Sequence, residues 1–171
     1  QYTALGEKVS FEVKPLRKGA LAGSSPDKVV EHWKAIATMR TQVNDLETEI
    51  KDTRDAIKII LTAYDRASKN DESLHAELLK LRNQILDIEQ QFHGSKPRGE
   101  VGAKDEYPTI WDYLWPASAY TTYGPTESHL KYLGNANKLY DEMTAKLQQI
   151  KDSLTPLEGQ LEGIGAPGIK K

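Results

Sequence analysis

The chain contains no cysteine among its 171 residues. This absence excludes a disulfide framework, a thiolate metal site and a cysteine nucleophile. No apolar run approaches the roughly 20 residues that a membrane-spanning helix needs. Basic and acidic residues nearly balance, 23 against 25, so no broad positive field points to nucleic acid or to anionic lipid. We therefore expect no nucleic-acid partner and no membrane span.

Residue patterns typical of catalysis are also scarce. The sequence has no serine nucleophile elbow, no glycine-rich phosphate loop after a strand and no kinase-like set. No two histidines lie three or four residues apart, which is the spacing of a helical metal pair. The histidines are His32, His75, His93 and His129. We interpret them as surface side chains, and we expect no catalytic residue, no cofactor and no metal.

What the sequence does contain is helical periodicity. A first helix is predicted at about residues 26–68, because Ser25 is a good N-cap residue, Pro26 suits the first helical position and Asp27 favours the first turn. Its apolar stripe advances in steps of three and four residues. The stripe consists of Val29, Trp33, Ile36, Met39, Val43, Leu46, Ile50, Thr53, Ile57, Ile60 and Tyr64.

Two further helices follow with the same spacing. One is predicted at about 72–93 and ends at Gly94, which is placed as a left-handed C-cap. The other is predicted at about 126–162, and its stripe continues across Pro156, so we expect either a kink or a restart there. Its stripe consists of Leu130, Leu133, Ala136, Tyr140, Met143, Leu147, Ile150, Leu154, Leu157 and Leu161.

The N-terminal residues differ from the rest of the chain. Apolar residues alternate with polar ones at Val9, Phe11 and Val13, after a turn at Gly6. This alternation predicts a β-hairpin over residues 1–14. Two strands alone are marginal in water, so we interpret the hairpin as the end of an upstream β domain. Residues 15–24 are a linker by composition, residues 25–165 form the helical domain and residues 166–171 form a tail.

The predicted helix lengths leave part of the first helix uncovered. At 1.5 Å per residue the three helices are about 65 Å, 33 Å and 45 to 55 Å long. The second is too short to cover the first, and the long aromatic loop 95–125 is available for the remainder. We expect Tyr107 to Tyr123 to pack against Trp33, Leu130 and Leu133. The predicted fold is mainly α, an elongated antiparallel three-helix bundle with a long aromatic loop and a short N-terminal β-hairpin.

The aromatic loop supplies the candidate interaction or ligand surface. Its candidate residues are Tyr107, Trp111, Asp112, Tyr113, Trp115, Tyr120, Tyr123 and His129. Buried rings would stabilise the fold, because each removes on the order of 150 to 250 Å² from water. Exposed rings would instead stack on a glycan or a peptide. Four acids near these rings, Asp105, Glu106, Asp112 and Glu127, give a weaker glycosidase hypothesis.

Several segments resemble a known family. The segments are residues 10–16 (SFEVKPL), 17–21 (RKGAL), 108–115 (PTIWDYLW) and 122–129 (TYGPTESH). They resemble the C-terminal region of large exported bacterial proteins with sortilin-like, BNR-repeat β-propellers, which are often labelled glycosyl hydrolases. The Asp-box pattern of BNR repeats does not occur here, so no catalytic residue is carried over.

The resemblance implies a periplasmic, cell-surface or secreted location and an accessory role. We expect a non-enzymatic C-terminal scaffold or interaction domain, whose partner is the upstream β-propeller or β domain of the same polypeptide. One alternative is a glycan- or peptide-binding module that uses the aromatic loop. Another is part of a glycosyl hydrolase whose active site lies in the propeller. Coiled-coil dimerisation is a further possibility, since the stripes are close to heptads.

Overall fold

The computed structural model describes residues 6, 9–14, 22–95, 107–118 and 123–168. Four helices follow one another in this part of the chain: α1 (Pro26–Asp65), α2 (Glu72–His93), α3 (Ile110–Ala117) and α4 (Glu127–Gly163). None of the described residues lies in a strand. The mainly helical character predicted from the sequence is confirmed.

Helix α1 begins at Pro26, as its fixed φ favours. Ser25 occupies the N-cap position, but its hydroxyl makes no capping hydrogen bond to the described residues. The helix ends at Asp65, three residues before the predicted end. Asp71 then caps α2, where its carboxylate accepts a hydrogen bond of 3.1 Å from the backbone N–H of Leu74. Asp71 is therefore the N-cap of the second helix.

Helix α2 ends where the sequence predicts, at a glycine with positive φ. Gly94 has φ 86° and ψ 175°, a region open essentially to glycine alone. All six apolar residues of the α2 stripe are buried. These residues are Leu74, Leu78, Leu81, Ile85, Ile88 and Phe92.

Helix α4 is continuous through Pro156. Of the two alternatives predicted at this proline, a kink or a restart, the continuous helix excludes the restart. Proline lacks the N–H that would bond the carbonyl of residue 152, but both positions are exposed, so water can satisfy that carbonyl. Leu154 and Leu157, on either side of Pro156, remain buried on the same face.

Helices α1, α2 and α4 contact one another pairwise and share one apolar core. Helices α1 and α4 start together, because the Ser24 N–H donates to the Tyr123 carbonyl at 2.7 Å. They also end together, because the Ser68 hydroxyl donates to the Ile164 carbonyl at 3.1 Å. Helix α2 returns from the end of α1 and therefore runs opposite to both.

Glycines permit these two end contacts. Gly124 has φ 98°, and a Cβ there would lie 2.5 Å from the Cβ of Ser24. At the other end, Gly165 has φ 74°, and a Cβ would collide with the Ser68 hydroxyl. A side chain at either glycine would be strained by its own backbone and would also push the neighbouring segment away.

The start of α1 departs from the predicted stripe. His32 is buried, whereas Trp33 is only half-buried and Val29 is intermediate. The interpretation of every histidine as a surface side chain is therefore wrong for His32. On α4, Leu130 is exposed rather than packed under the aromatic segment, and Leu133 is partly buried against the core.

Helix α3 lies within the segment for which the sequence predicts a loop without helical structure. That expectation is wrong for Ile110–Ala117. The helix contacts α4 over much of its length, and it also touches α1 and α2. Its buried side chains are Ile110, Leu114 and Ala117, spaced four and three residues apart. These three aliphatic side chains form the fully buried part of its docking face, and the partly buried Trp111 also packs against the core.

Residues 9–14 show no strand, although the second strand of the predicted hairpin falls there. Val9, Phe11 and Val13 are 82 to 84% exposed. The Lys14 ammonium lies 3.0 Å from the Glu12 carboxylate. A strand needs a hydrogen-bonding partner, and none of the other described residues provides one. The remaining predicted features outside the described residues are the first strand within 1–5, most of the linker (15–21), loop residues 96–106 and 119–122, and tail residues 169–171.

Candidate functional site

Helix α3 is held against α1 by two polar contacts at its C-terminal end. The buried His32 donates from Nε2 to the carbonyl oxygen of Ala117 at 3.0 Å. Arg40 donates from Nη2 to the Ser118 hydroxyl at 3.0 Å, and its guanidinium lies 5.6 Å from the centre of the Trp115 ring. A cation at this position also interacts favourably with the negative end of the α3 dipole.

The His32 imidazole makes only one of its two possible hydrogen bonds within the described chain. Because Nε2 donates to a carbonyl, the neutral ring carries no proton on Nδ1. That atom is buried without a hydrogen-bond partner among the described residues. The His129 ring stacks nearby, with its centre 6.3 Å from that of His32. His32 therefore joins the starts of α1 and α4 to the end of α3.

Two polar candidate residues cap helices. The Asp112 carboxylate accepts hydrogen bonds from the backbone N–H of Thr109 at 2.8 Å and from its hydroxyl at 2.9 Å. His129 Nδ1 accepts from the backbone N–H of Thr126 at 3.2 Å, and the Thr126 hydroxyl accepts from the His129 N–H. Each pair is a reciprocal N-terminal cap, so both candidates have local structural roles.

The aromatic candidates divide into packed and exposed rings. Trp111 is half-buried, and its ring meets Phe92 edge to face at 6.1 Å. Tyr113 is also half-buried and lies 6.4 Å from the ring of Tyr132. Trp115 is 65% exposed, even though its ring lies 6.2 Å from that of Trp111.

The other two described tyrosines of the candidate surface are exposed. Tyr107 has 68% of its surface exposed, and Tyr123 has 45% exposed while its carbonyl accepts the Ser24 N–H. Tyr120 lies outside the described residues, as do Asp105 and Glu106 from the glycosidase hypothesis. The described candidates therefore do not form one continuous buried cluster.

Charged groups also connect the long helices at the surface. Arg54 on α1 lies 2.8 Å from the Glu89 carboxylate on α2 and 3.1 Å from that of Asp55. The hydrogen bond to Asp55, followed by the charge of Glu89, raises the pKa of Arg54 above its ordinary value. Lys151 on α4 lies 2.7 Å from Glu49 on α1. Partly exposed pairs of this kind contribute up to about 1 kcal/mol each.

Sequence patterns did not reveal a groove between α2 and α4. Its volume is about 670 Å³, and its lining includes Gln84, Gln149 and Tyr107. The groove arises from the side-by-side packing of two helices whose lining residues are up to 76 positions apart. Only Tyr107 among its lining residues belongs to the predicted candidate surface.

The described residues contain no cluster of three or more histidine, cysteine, aspartate or glutamate side chains that could hold a metal ion. In the same part of the chain, no helix has the length and apolar character needed to cross a bilayer.

Comparison with known proteins returned no relatives. No protein-family model matches the chain, and neither the curated proteins nor the solved structures yielded a match.

Proposed function

We propose that this chain is a non-enzymatic scaffold and interaction domain of a larger exported β-propeller protein. In this proposal α1, α2 and α4 form an elongated three-helix bundle, and the α3 segment replaces α2 where α2 does not reach. The partner is a β domain of the same polypeptide. Any hydrolase activity of the larger protein belongs to the propeller.

The observation that carries this proposal is the exposed apolar row at Val9, Phe11 and Val13. Three large apolar side chains, each more than four-fifths exposed, stand at alternate positions just ahead of the bundle. Alternation with period two suits one face of a β-sheet, because successive strand residues point to opposite sides. The Glu12–Lys14 pair occupies the intervening positions, as expected for the solvated side of such a strand.

The contacts of the aromatic segment are consistent with a structural role. Asp112 and His129 cap helices, and Trp111 packs on Phe92. His32 and Arg40 hold the end of α3. Side chains engaged in this way support the bundle.

The test is the association of this chain with the separately expressed preceding β domain, measured by calorimetry. The variant Phe11→Ser should weaken binding at least about tenfold, since it removes the largest apolar side chain of the row. The matched control is Ile59→Ser, which changes an apolar residue of α1 that is 52% exposed and does not belong to the row. No association of the unaltered chain, or equal loss in both variants, would contradict the proposal.

A second candidate function is glycan or peptide binding by the aromatic segment. The exposed Trp115 ring beside the Arg40 guanidinium is the observation that favours it. Calorimetry should then show saturable binding of an oligosaccharide or a peptide, and Trp115→Ala should abolish this binding without unfolding the protein. Saturable binding that persists in Trp115→Ala would count against this ring.

A further inference from the structure

The groove between α2 and α4 has the dimensions of a ligand site. Its volume of about 670 Å³ falls within the range of small-molecule sites. On α2 its lining extends from Glu77 to Gln91, which corresponds to about 21 Å of helix. A groove of this length suits an extended chain of several units rather than one compact molecule.

The groove is lined by amides above an apolar base. Leu81, Ile88 and Ile150 each have 4% or less of their surface exposed, so they form the base. Four side-chain amides surround them: Gln84, Gln90, Gln91 and Gln149. Gln91 accepts a hydrogen bond from Lys146 across the groove at 3.3 Å. The other three amides have no hydrogen-bond partner among the described residues, so they can bind a ligand.

The charges of the groove cancel. Glu77 and Asp87 are balanced by Lys80 and Lys146. A strongly charged ligand of either sign would meet repulsive as well as attractive groups, so a neutral ligand is favoured. An apolar helix is disfavoured too, because it would bury the amides without hydrogen bonds.

Tyr107 adds an exposed aromatic ring to this lining. Primary amides both donate and accept hydrogen bonds, which matches hydroxyl groups. The exposed ring of Tyr107 offers an aromatic face that matches the C–H face of a sugar ring. A peptide fits less well, because the base residues are too deeply buried to offer pockets for its side chains.

We propose that the α2/α4 groove binds a neutral oligosaccharide. Gln84 and Gln149 hydrogen-bond its hydroxyls from opposite walls, and Tyr107 stacks on one sugar ring. This site is independent of the proposed scaffold role, and it differs from the surface around Trp115.

The test is a titration of the full chain with neutral hexasaccharides of glucose and of N-acetylglucosamine, followed by backbone amide NMR. Saturable shifts should concentrate in residues 77–91 and 146–153 for at least one sugar. Gln149→Ala should weaken binding roughly two- to tenfold, the effect of one hydrogen bond. Gln148→Ala is the matched control, because this neighbour on α4 is exposed and lies outside the groove lining.

Two further variants separate the possible sites. Tyr107→Ala should weaken binding to at least the same extent as Gln149→Ala, whereas Trp115→Ala should leave it unchanged. The proposal is wrong if no neutral sugar binds at concentrations up to about 10 mM. It is also wrong if only an oligogalacturonate or an uncharged peptide binds, or if Gln148→Ala and Gln149→Ala have equal effects.

Discussion

The two halves of the molecule close their cores in different ways. In the upper half, α2 covers α1 and α4 with a regular stripe of six buried apolar residues. In the lower half, where α1 and α4 begin, the cover is the eight-residue helix α3. It contributes three buried aliphatic side chains and is fastened by His32 and Arg40. The upper half thus relies on repetition, whereas the lower half relies on a few specific contacts.

This difference affects how stability is distributed. A long stripe spreads burial over many residues, so losing one side chain leaves the others packed. A short docked helix is held by few contacts, so the loss of one buried side chain can release the whole segment. We therefore expect upper-half variants to change global stability and lower-half variants to change local opening.

The largest effect is expected from Leu78→Ala in the upper half. Leu78 has no exposed surface, and truncation of a buried leucine costs about 2 to 5 kcal/mol. Urea unfolding should show this loss in the free energy of unfolding. The control Leu86→Ala, on the same helix but 42% exposed, should cost less than about 1 kcal/mol. Equal losses would show that the α2 stripe does not carry the core.

The anchor of the lower half is Leu114, which is 1% exposed. Leu114→Ala should lower the free energy of local opening of the α3 segment by about 2 to 4 kcal/mol. Hydrogen exchange should accelerate in α3 and at residues 26–40, while residues 74–88 keep their protection. Uniform acceleration along the chain would mean that the two halves unfold as one unit.

A smaller effect is expected where α1 and α4 start together. Gly124→Ala should cost about 1 to 3 kcal/mol, because φ there is 98° and the new Cβ would meet Ser24. Gly134→Ala should instead stabilise the protein by up to about 1 kcal/mol, since it lies within α4 and a Cβ would meet no described atom within 4 Å. The melting temperature should fall in Gly124→Ala and rise in Gly134→Ala. Shifts of the same sign in both variants would contradict this account.

The smallest effect distinguishes the two tryptophans of α3. Trp115→Ala should change stability by less than about 1 kcal/mol, the scale of an exposed cation–π contact. Trp111→Ala should lower the free energy of unfolding by more than Trp115→Ala does, because the Trp111 ring packs on the buried Phe92. If calorimetric melting shows the reverse order, the exposed ring is the structural one.

The helices could be predicted from the sequence where their buried apolar residues recur at regular helical spacing. The α2 residues from Leu74 to Phe92 need only a neighbouring apolar stripe, so spacing alone identifies them. His32 was not predictable in this way, because its burial depends on the carbonyl of Ala117, 85 residues away. The sequence also placed all the aromatic candidates in one segment, but could not tell packed rings from exposed ones.

Helix α3 was missed because it is too short for periodicity to stand out. Its buried residues span only two turns and alternate with aromatic residues and Pro116. A local signal was present, since Thr109 followed by an acid at Asp112 resembles a capping box ahead of an apolar run. The α2/α4 groove has no comparable signal, because it depends on how two distant helices lie side by side.

The contacts that join α1 and α4 at both ends fix the lengths of these helices together. One extra residue in α4 would displace everything after it by about 1.5 Å and rotate it by about 100°. The helix could then keep its apolar stripe buried or keep the hydrogen bond between Ser68 and Ile164, but not both. An insertion in one helix therefore requires a compensating insertion in the other, so α1 and α4 can change their lengths only by coordinated steps.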